Sequence, residues 1–295
     1  MRILITGSSG YIGSALTDKA LKAGFIVHCL DVSPSKRTIN DTEIFHAIDL
    51  TDIKAVTNLF QDYTFDVVFH LAAIAGISDS KSVPIDAINV NIIGTANIIE
   101  SIRLYSSKTQ LIFASTVYVH SNHGSIYAAT KKCCELLIEK YSEEYNVNYT
   151  FLRFGSVYGP GANDFNFVNN TLLKAISGEE LTYDGTGNEV REYIHVEDAT
   201  ELAIRVIGSE YYGCTYMITG SQKIKVRELF ELICEIMNKK LDYVFKSNVW
   251  DGHYNRTPYT YDPKISKRLI PSTEIDLAGG IFESLKWLQS ENIES

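Results

Sequence analysis

The strongest constraint on the fold is a glycine-rich segment between a predicted strand and a predicted helix near the N-terminus. Residues 6–13 read TGSSGYIG. They follow an apolar run at residues 2–5, which predicts a buried parallel strand. They precede an amphipathic run in which Leu16, Ala20 and Leu21 share one helical face. The glycines therefore stand where a strand turns into a helix.

Each glycine of this segment suits a dinucleotide-binding turn. Gly7 permits the tight turn, Gly10 lets the backbone approach a pyrophosphate, and Gly13 lets the helix pack against the strand. The helix N-terminus offers unpaired N–H groups and the positive end of a dipole to the phosphates. The alternative is a glycine-rich turn that serves packing alone, but strand, glycines and an acidic residue in register favour a nucleotide site.

The acidic residue is Asp31, which follows the next apolar run, residues 25–30. A carboxylate at this position hydrogen-bonds the adenosine ribose hydroxyls and repels a 2′-phosphate. The sequence therefore predicts NAD as the cofactor rather than NADP. Lys36 and Arg37 follow closely and are the residues that would weaken this preference.

The composition excludes several other classes of protein. The chain has 295 residues, 45% of them hydrophobic, which is enough for a sizeable core in one large or two small domains. Its net charge is −9, and no block of Lys and Arg exceeds two residues, which argues against a nucleic-acid partner. The five cysteines include no Cys-x-x-Cys pair, as expected of a reduced intracellular protein without a thiolate metal site.

The sequence also predicts a cytoplasmic protein without a membrane segment or a metal. The first predicted strand begins at residue 2, which leaves no room for a signal peptide. No apolar run approaches 18 residues, the length that a membrane span requires. The seven histidines show no metal-ligand spacing.

Strand and helix patterns alternate through the first half of the chain. Repeated βα units imply an α/β fold with a doubly wound parallel sheet, helices on both faces, and ligands beyond the carboxyl ends of the strands. Further strands are predicted at residues 43–48, 66–71, 110–114 and 149–154, and helices at residues 51–60, 87–105 and 127–145.

The pattern changes near residue 156, where glycines and a proline interrupt the alternation. Residues 1–155, together with about 193–218, are expected to form the dinucleotide-binding domain. Residues 156–192 and 219–295 are expected to form a smaller C-terminal α/β substrate lobe. The elements predicted in this part are helices at residues 167–177 and 226–237, a turn at 183–187 and a strand at 241–245.

The candidate catalytic pair is Tyr127 and Lys131, which are four residues apart on a predicted helix and so share one face. A lysine ammonium beside a phenol favours phenolate and lowers the tyrosine pKa from its reference value of about 10, which would make Tyr127 a usable base. Lys131 can also bond the nicotinamide ribose. The alternative is an exposed aromatic residue beside a solvated lysine, and the nucleotide motif upstream favours the catalytic interpretation.

In these motifs the sequence resembles the extended short-chain dehydrogenase/reductase family, and within it the NAD-dependent nucleotide-sugar epimerases and dehydratases of the UDP-glucose 4-epimerase-like type. The resemblance implies a Rossmann-type fold and weakens after about residue 230. It extends over further segments that read HLAA at 70–73, NIIGT at 91–95, ST at 115–116, LRFGSVYGPG at 152–161 and REYIHVED at 191–198.

The resemblance implies a role for each matched position. Tyr127 would remove a proton from a sugar hydroxyl while C4 loses hydride to NAD, Thr116 would share a short hydrogen bond with that hydroxyl, and Lys131 would hold the ribose. Ser115 is the alternative to Thr116. The implied cofactor-binding residues are Gly7, Gly10, Tyr11, Ile12, Gly13, Asp31, Asp49, Leu50, Leu71, Ala72, Ala73, Asn91, Ser115, Tyr127, Lys131, Phe154 and Val157.

The implied substrate-binding residues are Thr116, Ser156, Arg191 and Arg256. The arginines would grip a nucleotide diphosphate, which a planar guanidinium can hold with two hydrogen bonds. Arg256 matches the family only loosely, and a surface cation is its alternative. Ser156 stands where an asparagine is usual. The loop before Tyr127 is shorter than in most relatives, which predicts a sugar pocket that is more open or is closed by another element.

The predicted function is that of an NAD-dependent nucleotide-sugar epimerase that acts at C4 through a transient 4-keto sugar. A 4,6-dehydratase would need an acid and a base directly after Thr116, where Val117 and Tyr118 stand instead. A net C4 dehydrogenase or reductase would use the same tyrosine and lysine. Outside enzymes, the alternative is an NAD-binding regulatory protein, against which the intact Tyr127, Lys131 and Thr116 argue.

The last sequence prediction is a homodimer. In the family that the sequence resembles, two long helices pair across a two-fold axis, and here these would be the helices at residues 87–105 and 127–145. Leu136, Leu137 and Ile138 supply more apolar side chains than one buried face needs.

Overall fold

The computed structural model describes residues 1–34, 43–121, 123–163, 165–246 and 267–294. Strands and helices alternate through the first half of the chain, as the sequence predicts for repeated βα units. Within the described residues the strands are β1 Arg2–Thr6, β2 Ile26–Asp31, β3 Glu43–Ala47, β4 Val67–His70, β5 Gln110–Thr116, β6 Asn148–Phe154, β7 Ser156–Tyr158, β8 Leu181–Asp184, β9 Val190–His195, β10 Cys214–Ile218, β11 Lys223–Lys225, β12 Tyr243–Lys246 and β13 Lys267–Arg268.

Helices form most of the connections between these strands. A π-helical turn, Asn89–Ile93, joins two of them, and 3₁₀ turns span Val117–His120 and Ser209–Tyr211. None of the helices in the described ranges is both long and apolar enough to cross a membrane. The α-helices are α1 Tyr11–Lys22, α2 Ile53–Asp62, α3 Ile77–Ser82, α4 Pro84–Ile88, α5 Gly94–Tyr105, α6 Ser125–Tyr145, α7 Phe167–Ser177, α8 Val196–Arg205, α9 Val226–Met237 and α10 Leu277–Glu294.

Eight of the described strands form one sheet in the order β13-β10-β6-β5-β4-β1-β2-β3, and all of their pairings are parallel. The chain moves outward from β1 through β2 and β3, and then returns to the other side of β1 with β4. Ligands of such sheets bind at this reversal, beyond the carboxyl ends of the strands. The predicted α/β fold with a doubly wound parallel sheet is confirmed.

The sheet is buried on both faces, because successive side chains of a strand point to opposite sides. On β1, Ile3 and Ile5 pack in a cluster that includes Leu16 of α1 and Leu202 of α8. Leu4 packs in a second cluster with residues of α2, α5 and α6. This two-sided burial explains why the central strands are nearly continuous apolar runs in the sequence.

A smaller group of elements, from the part of the chain after β6, lies outside the main sheet. Its strands form a three-stranded sheet, β11-β9-β7, and a two-stranded sheet, β12-β8. Leu172 of α7, Phe230 of α9 and Ile281 of α10 share a third apolar core with them. The domain boundaries stay a prediction, and β13 departs from them, because it lies within residues 219–295 yet pairs with β10 in the main sheet.

The helix predicted at residues 87–105 differs from the structure. The helical run begins at Pro84, and the π-helical turn interrupts it around Asn91. Asn91 is 2% exposed, and its amide bonds to protein groups. These are tertiary contacts, which periodicity along the chain does not reveal. Helix α10 was not predicted at all.

Candidate active site

The glycine-rich turn between β1 and α1 leaves room for a ligand because side chains are excluded from it. Gly7 adopts a left-handed φ of 70°, and a Cβ there would lie 2.7 Å from the backbone nitrogen of Ala72. A Cβ on Gly13 would overlap the carbonyl of Gly7, at 2.8 Å from its carbon. Gly10 is exposed and precedes α1 without a side-chain cap. Backbone N–H groups at the start of α1 therefore face a space that suits a pyrophosphate.

Asp31, at the end of β2, holds this turn in place. Its carboxylate accepts hydrogen bonds from the backbone N–H groups of Ser9, at 3.0 Å, and Val32, at 2.8 Å. The Ser9 hydroxyl donates to the carbonyl of Ser33 at 2.6 Å. A carboxylate has about four acceptor sites, so Asp31 retains capacity for a ribose hydroxyl. Lys36 and Arg37, the residues that would weaken the preference for NAD, lie outside the described residues.

A buried hydrogen-bond chain through His70 fixes the end of β4 beside this turn. Thr95 donates its proton to the carbonyl of Asn91 at 2.5 Å, and therefore accepts from Nε2 of His70 at 2.9 Å. Thr6 then donates to Nδ1 of His70 at 2.7 Å and accepts from the N–H of Ala72 at 3.2 Å. Burial, with a smaller effect of Lys131, lowers the pKa of His70 to about 3. The ring is neutral, with one defined tautomer.

Asn91 links the segment after β4 to α6. Its Oδ1 accepts from the N–H of Ile74 at 2.8 Å, and its Nδ2 donates to the Ile74 carbonyl at 3.2 Å and to the Thr130 hydroxyl at 2.9 Å. Thr130 directly precedes Lys131 in α6. Asn91 therefore sets the position of the helix that carries the candidate catalytic residues.

The segment after β3 is held by short-range and long-range bonds. The Asp49 carboxylate accepts from the N–H and the hydroxyl of Thr51, both at 2.8 Å. The Leu50 carbonyl accepts from Nδ2 of Asn97 at 2.7 Å, and its side chain is buried. Asp49 stays exposed, beside the loop that follows β3.

Tyr127 lies in the first turn of α6 and lines the same cleft as Thr116, the last residue of β5. Burial raises the pKa of Tyr127 to about 12, and a hydrogen bond with Thr116 opposes this rise. The net effect is opposite to the lowering by Lys131 that the sequence predicted. The prediction was wrong because it considered the neighbouring charge and not the loss of solvent around the phenol.

Lys131 is buried one turn further along α6. Its Nζ donates to the carbonyl of Ala114 at 2.8 Å and lies 4.6 Å from the centre of the Phe113 ring. Burial lowers the pKa of Lys131 to about 8, while Cys134 and Glu135 act in the opposite direction. In the structure, the ammonium is thus held at the carboxyl end of β5.

Ser115 has a different partner from Thr116. Its hydroxyl donates to Oε1 of Glu135 at 2.5 Å, and Ser115 is absent from the described cleft lining. Glu135 also accepts from Nε and Nη2 of Arg153, at 2.9 and 2.7 Å. The sequence predictions included neither Glu135 nor Arg153. The available signal was spacing, because Glu135 follows Tyr127 by eight positions and so shares its helical face.

The cleft has a volume of about 450 Å³ and extends from α3 and α6 to the smaller group of elements. Arg191 lines the cleft from β9, where its Nη2 donates to the Tyr183 hydroxyl at 3.1 Å and its Nη1 to the Val190 carbonyl at 3.1 Å. Arg256 lies outside the described residues. The predicted residues that line the cleft are Tyr11, Ile12, Thr116, Tyr127, Phe154, Ser156, Val157 and Arg191.

Several cleft-lining residues were not predicted. Residues 75–79 enter from the loop after β4 and from α3, and residues 165–168 enter at the start of α7. Phe165 is 83% exposed at this position. Asn166 caps α7 and also donates to the Val157 carbonyl at 2.8 Å. Apart from their position after strands, these residues carry no local motif, and only the tertiary fold brings them to the cleft.

Comparisons with known proteins agree with this geometry. Residues 3–213 match the profile of the NAD dependent epimerase/dehydratase family. The chain is similar to a UDP-glucuronate 4-epimerase of Thermodesulfobacterium geofontis, with 26% identity over 99% of this chain and 97% of that protein. It is equally similar to a dTDP-glucose 4,6-dehydratase of Shigella flexneri, with 26% identity over 100% and 96%. The structure of a Thermus thermophilus UDP-glucose 4-epimerase in complex with NAD gives a TM-score of 0.82 at 25% identity, over 98% and 99%.

Proposed function

Because the chain belongs to the NAD-dependent epimerase/dehydratase family, we propose that it is a nucleotide-sugar epimerase that acts at C4 through a transient 4-keto sugar. The observation that carries the proposal is one cleft that contains the hydrogen-bonded pair Thr116 and Tyr127, with Lys131 buried one turn further along α6. The epimerases among the similar proteins support the choice of C4.

The cofactor fits the residues at the β1–α1 turn. Bound NAD would supply the redox chemistry, as the acceptor of a hydride from C4 of the sugar and the donor that would return it to the opposite face. Gly7, Gly10 and Gly13 leave space for its pyrophosphate, Asp31 has acceptor capacity for the adenosine ribose, and Lys131 would donate to the nicotinamide ribose.

The proton chemistry belongs to Tyr127 and Thr116. Tyr127 removes the proton of the C4 hydroxyl, and Thr116 aligns that hydroxyl with the phenol. Burial raises the pKa of Tyr127 to about 12, which favours the phenol over the phenolate. The Lys131 ammonium stabilises the phenolate that must form first.

The dehydratase alternative is weakened by the residues after Thr116. A dehydratase would need an acid and a base at the two positions after Thr116. Here these positions hold Val117, which is 3% exposed, and Tyr118. Neither side chain supplies a carboxyl group, so expulsion of water across C5–C6 lacks its catalysts. A net dehydrogenase remains the alternative in the same cleft, and it would release NADH in proportion to product.

The charged side chains of the cleft indicate whether the sugar of the substrate is neutral or acidic. Asp79 of α3 and Arg191 are the charged side chains that line the described part of the cleft. The Asp79 carboxylate folds over Gly76, where a Cβ would lie 2.7 Å from its Cγ, and it bonds to none of the other described residues. Helix α3 packs against α6, the helix that carries Tyr127, and Asp79 and Tyr127 line the same cleft. A uronic acid would meet an unneutralised carboxylate there, so we expect a neutral or amino sugar.

A panel of nucleotide sugars tests the function. Each candidate is incubated with the protein and NAD, and the C4 epimer is sought by NMR. We expect conversion of a hexose or an acetamido-hexose nucleotide and at least about tenfold lower kcat/KM for the matching uronate, which corresponds to about 1.4 kcal/mol. Faster conversion of the uronate would contradict the role of Asp79. Absence of any C4 epimer across the panel would contradict the function itself.

The preference for NAD over NADP gives a second expected result. The Asp31 carboxylate would face the 2′-phosphate, and a like-charge contact costs several kcal/mol. Titration of both cofactors should give an NAD dissociation constant at least about tenfold below that of NADP, a difference of about 1.4 kcal/mol. Asp31→Asn should reduce the difference between the dissociation constants of NADP and NAD. Equal or tighter NADP binding by the unaltered protein would contradict the assignment and point to Lys36 and Arg37.

A homodimer is also part of the proposal. The outer faces of α4, α6 and the π-helical turn expose Ile85, Ile93 and Leu136, with exposed fractions of 66%, 45% and 55%. Such a patch on adjacent helices suits a second copy of the chain. Light scattering at micromolar concentration should give the dimer mass, and Leu136→Lys should reduce it to the monomer. Phe282→Lys, at another exposed apolar residue, is the control and should stay dimeric. A monomer mass for the unaltered protein would contradict this prediction.

A further inference from the structure

A buried ion pair is formed by a residue of α6, the helix that carries Tyr127 and Lys131. Glu135 of α6 and Arg153 of β6 make two hydrogen bonds, and the side chains are each 8% exposed. The third hydrogen bond to the carboxylate comes from Ser115 of β5. The pair therefore joins one helix to the carboxyl ends of two neighbouring strands.

The position of the pair relates it to catalysis rather than to the fold in general. Tyr127, Lys131 and Glu135 follow one another at intervals of four residues and so lie along one face of α6. Ser115, which donates to Glu135, is adjacent to Thr116, which bonds to Tyr127. A shift of the carboxylate would thus displace both partners of the proton-transfer pair.

The charge environment of Lys131 gives the pair a second role. Among the described residues, Cys134 and Glu135 of α6 and His70 of β4 interact electrostatically with Lys131. Arg153 faces Glu135 from β6, and Tyr127, Tyr118 and, from the packed helix α3, Asp79 line the cleft. Burial raises the pKa of Cys134, so the thiol is neutral near pH 7. His70 is neutral as well, because its pKa is about 3. Glu135 is thus the anion on the same helical face as Lys131.

We propose that Glu135, held by Arg153, is a positioning residue of the active site that fixes α6 against β5 and keeps Lys131 in its ammonium form. The kinetic part of this proposal rests on the proposed function, because it takes Lys131 to serve the reaction. The electrostatic part concerns the protein alone and can be measured without substrate.

The two halves of the pair make opposite predictions. Glu135→Gln removes the negative charge and leaves the Arg153 cation unpaired, so Lys131 should lose its proton more easily. Arg153→Met leaves the carboxylate uncompensated, so Lys131 should hold its proton more firmly. If the pair served only to stabilise the fold, the two substitutions would change the pKa of Lys131 in the same direction.

The test is a pH titration of the protein labelled with ε-¹³C-lysine, in which the Lys131 signal is assigned by its loss in Lys131→Met. In the unaltered protein the midpoint should lie near 8, where burial places the pKa of Lys131. Glu135→Gln should lower the midpoint by about 1, the lower end of the usual effect of a neighbouring opposite charge, and Arg153→Met should raise it. Arg153→Lys, which conserves the charge, should leave it nearly unchanged.

Gln110→Ala is the matched control. Gln110 is buried at the start of β5, where its side chain bonds to Thr150, Val206 and Gly208, so its loss weakens the sheet far from Lys131. It should reduce thermal stability without moving the Lys131 midpoint. Unchanged midpoints in Glu135→Gln and Arg153→Met, or shifts of the same sign, would overturn the proposal. If Glu135→Gln does not fold, the direction of the shift in Arg153→Met decides.

Kinetics separates this proposal from the proposed function. With a converted substrate, the basic limb of the kcat profile should move to lower pH in Glu135→Gln, in parallel with the lysine midpoint. A protein that converts no nucleotide sugar would contradict the proposed function, while the NMR midpoints would still support or overturn the role of Glu135.

Discussion

Replacement of Tyr127 by phenylalanine should lower turnover by roughly 10²–10⁴-fold, the usual contribution of a positioned base. The substitution removes one oxygen atom and leaves the ring that lines the cleft. The phenol is lost together with its hydrogen bond to Thr116, whereas the glycine-rich turn and Asp31 are untouched. Folding and NAD binding should therefore survive, and the loss should appear in kcat.

Two neighbouring substitutions should give a graded series. Lys131→Ala should weaken both NAD binding and turnover, because the ammonium serves the ribose and the phenolate. The turnover of Thr116→Val should lie between that of the unaltered protein and that of Tyr127→Phe, because the Thr116 hydroxyl only aligns the sugar hydroxyl with the phenol.

Tyr141→Phe is the matched control for Tyr127→Phe. Tyr141 lies on the same helix, bonds to Glu100 through its hydroxyl and is distant from the cleft, so turnover should stay unchanged. Full activity of Tyr127→Phe on the true substrate would mean that the base has been assigned to the wrong residue.

Gly13→Ala should abolish NAD binding and destabilise the protein by about 3 kcal/mol or more, at the upper end of the usual cost of overpacking. The added methyl would overlap the carbonyl of Gly7, and the β1–α1 turn would have to open. Both colliding groups are fixed by the backbone, so no side-chain rotation relieves the contact. The same movement would displace the N–H groups that face the pyrophosphate.

Gly24→Ala separates this steric effect from the general cost of replacing a glycine. Gly24 has a φ of 81° but no atom within 4 Å of an added Cβ. The free energy of unfolding of Gly24→Ala should fall by only about 1–2 kcal/mol, the cost of a left-handed conformation for a residue with a Cβ, and NAD binding should be kept. Denaturant unfolding and NAD titration measure both effects. A Gly13→Ala protein as stable as Gly24→Ala, with unchanged NAD affinity, would contradict the description of the turn.

The fold and the nucleotide turn are predictable from the sequence because their causes are local. Apolar runs mark strands that are buried on both faces, Gly13 is required by the backbone of Gly7, and Gly7 by its own left-handed φ. The cap of α2 is equally local, since Asp52 accepts from Lys54 and Ala55.

The remaining features depend on contacts between distant segments. The π-helical turn around Asn91 is associated with bonds to Ile74 and Thr130, which no periodicity reveals. The direction of the Tyr127 pKa shift depends on how much solvent the folded cleft excludes, which the spacing of Tyr127 and Lys131 does not show. Asp79 reaches the cleft only because α3 packs against α6.

The central claim is that hydrogen leaves C4 and returns to C4 within one active site, with Tyr127 handling the accompanying proton. The most direct measurement follows deuterium at C4 of the nucleotide sugar that the panel identifies, by NMR and mass spectrometry of the product. We predict a C4 epimer that retains its deuterium, with no NADH released in proportion to turnover. Loss of the deuterium to solvent, or release of one NADH per product molecule, would contradict it.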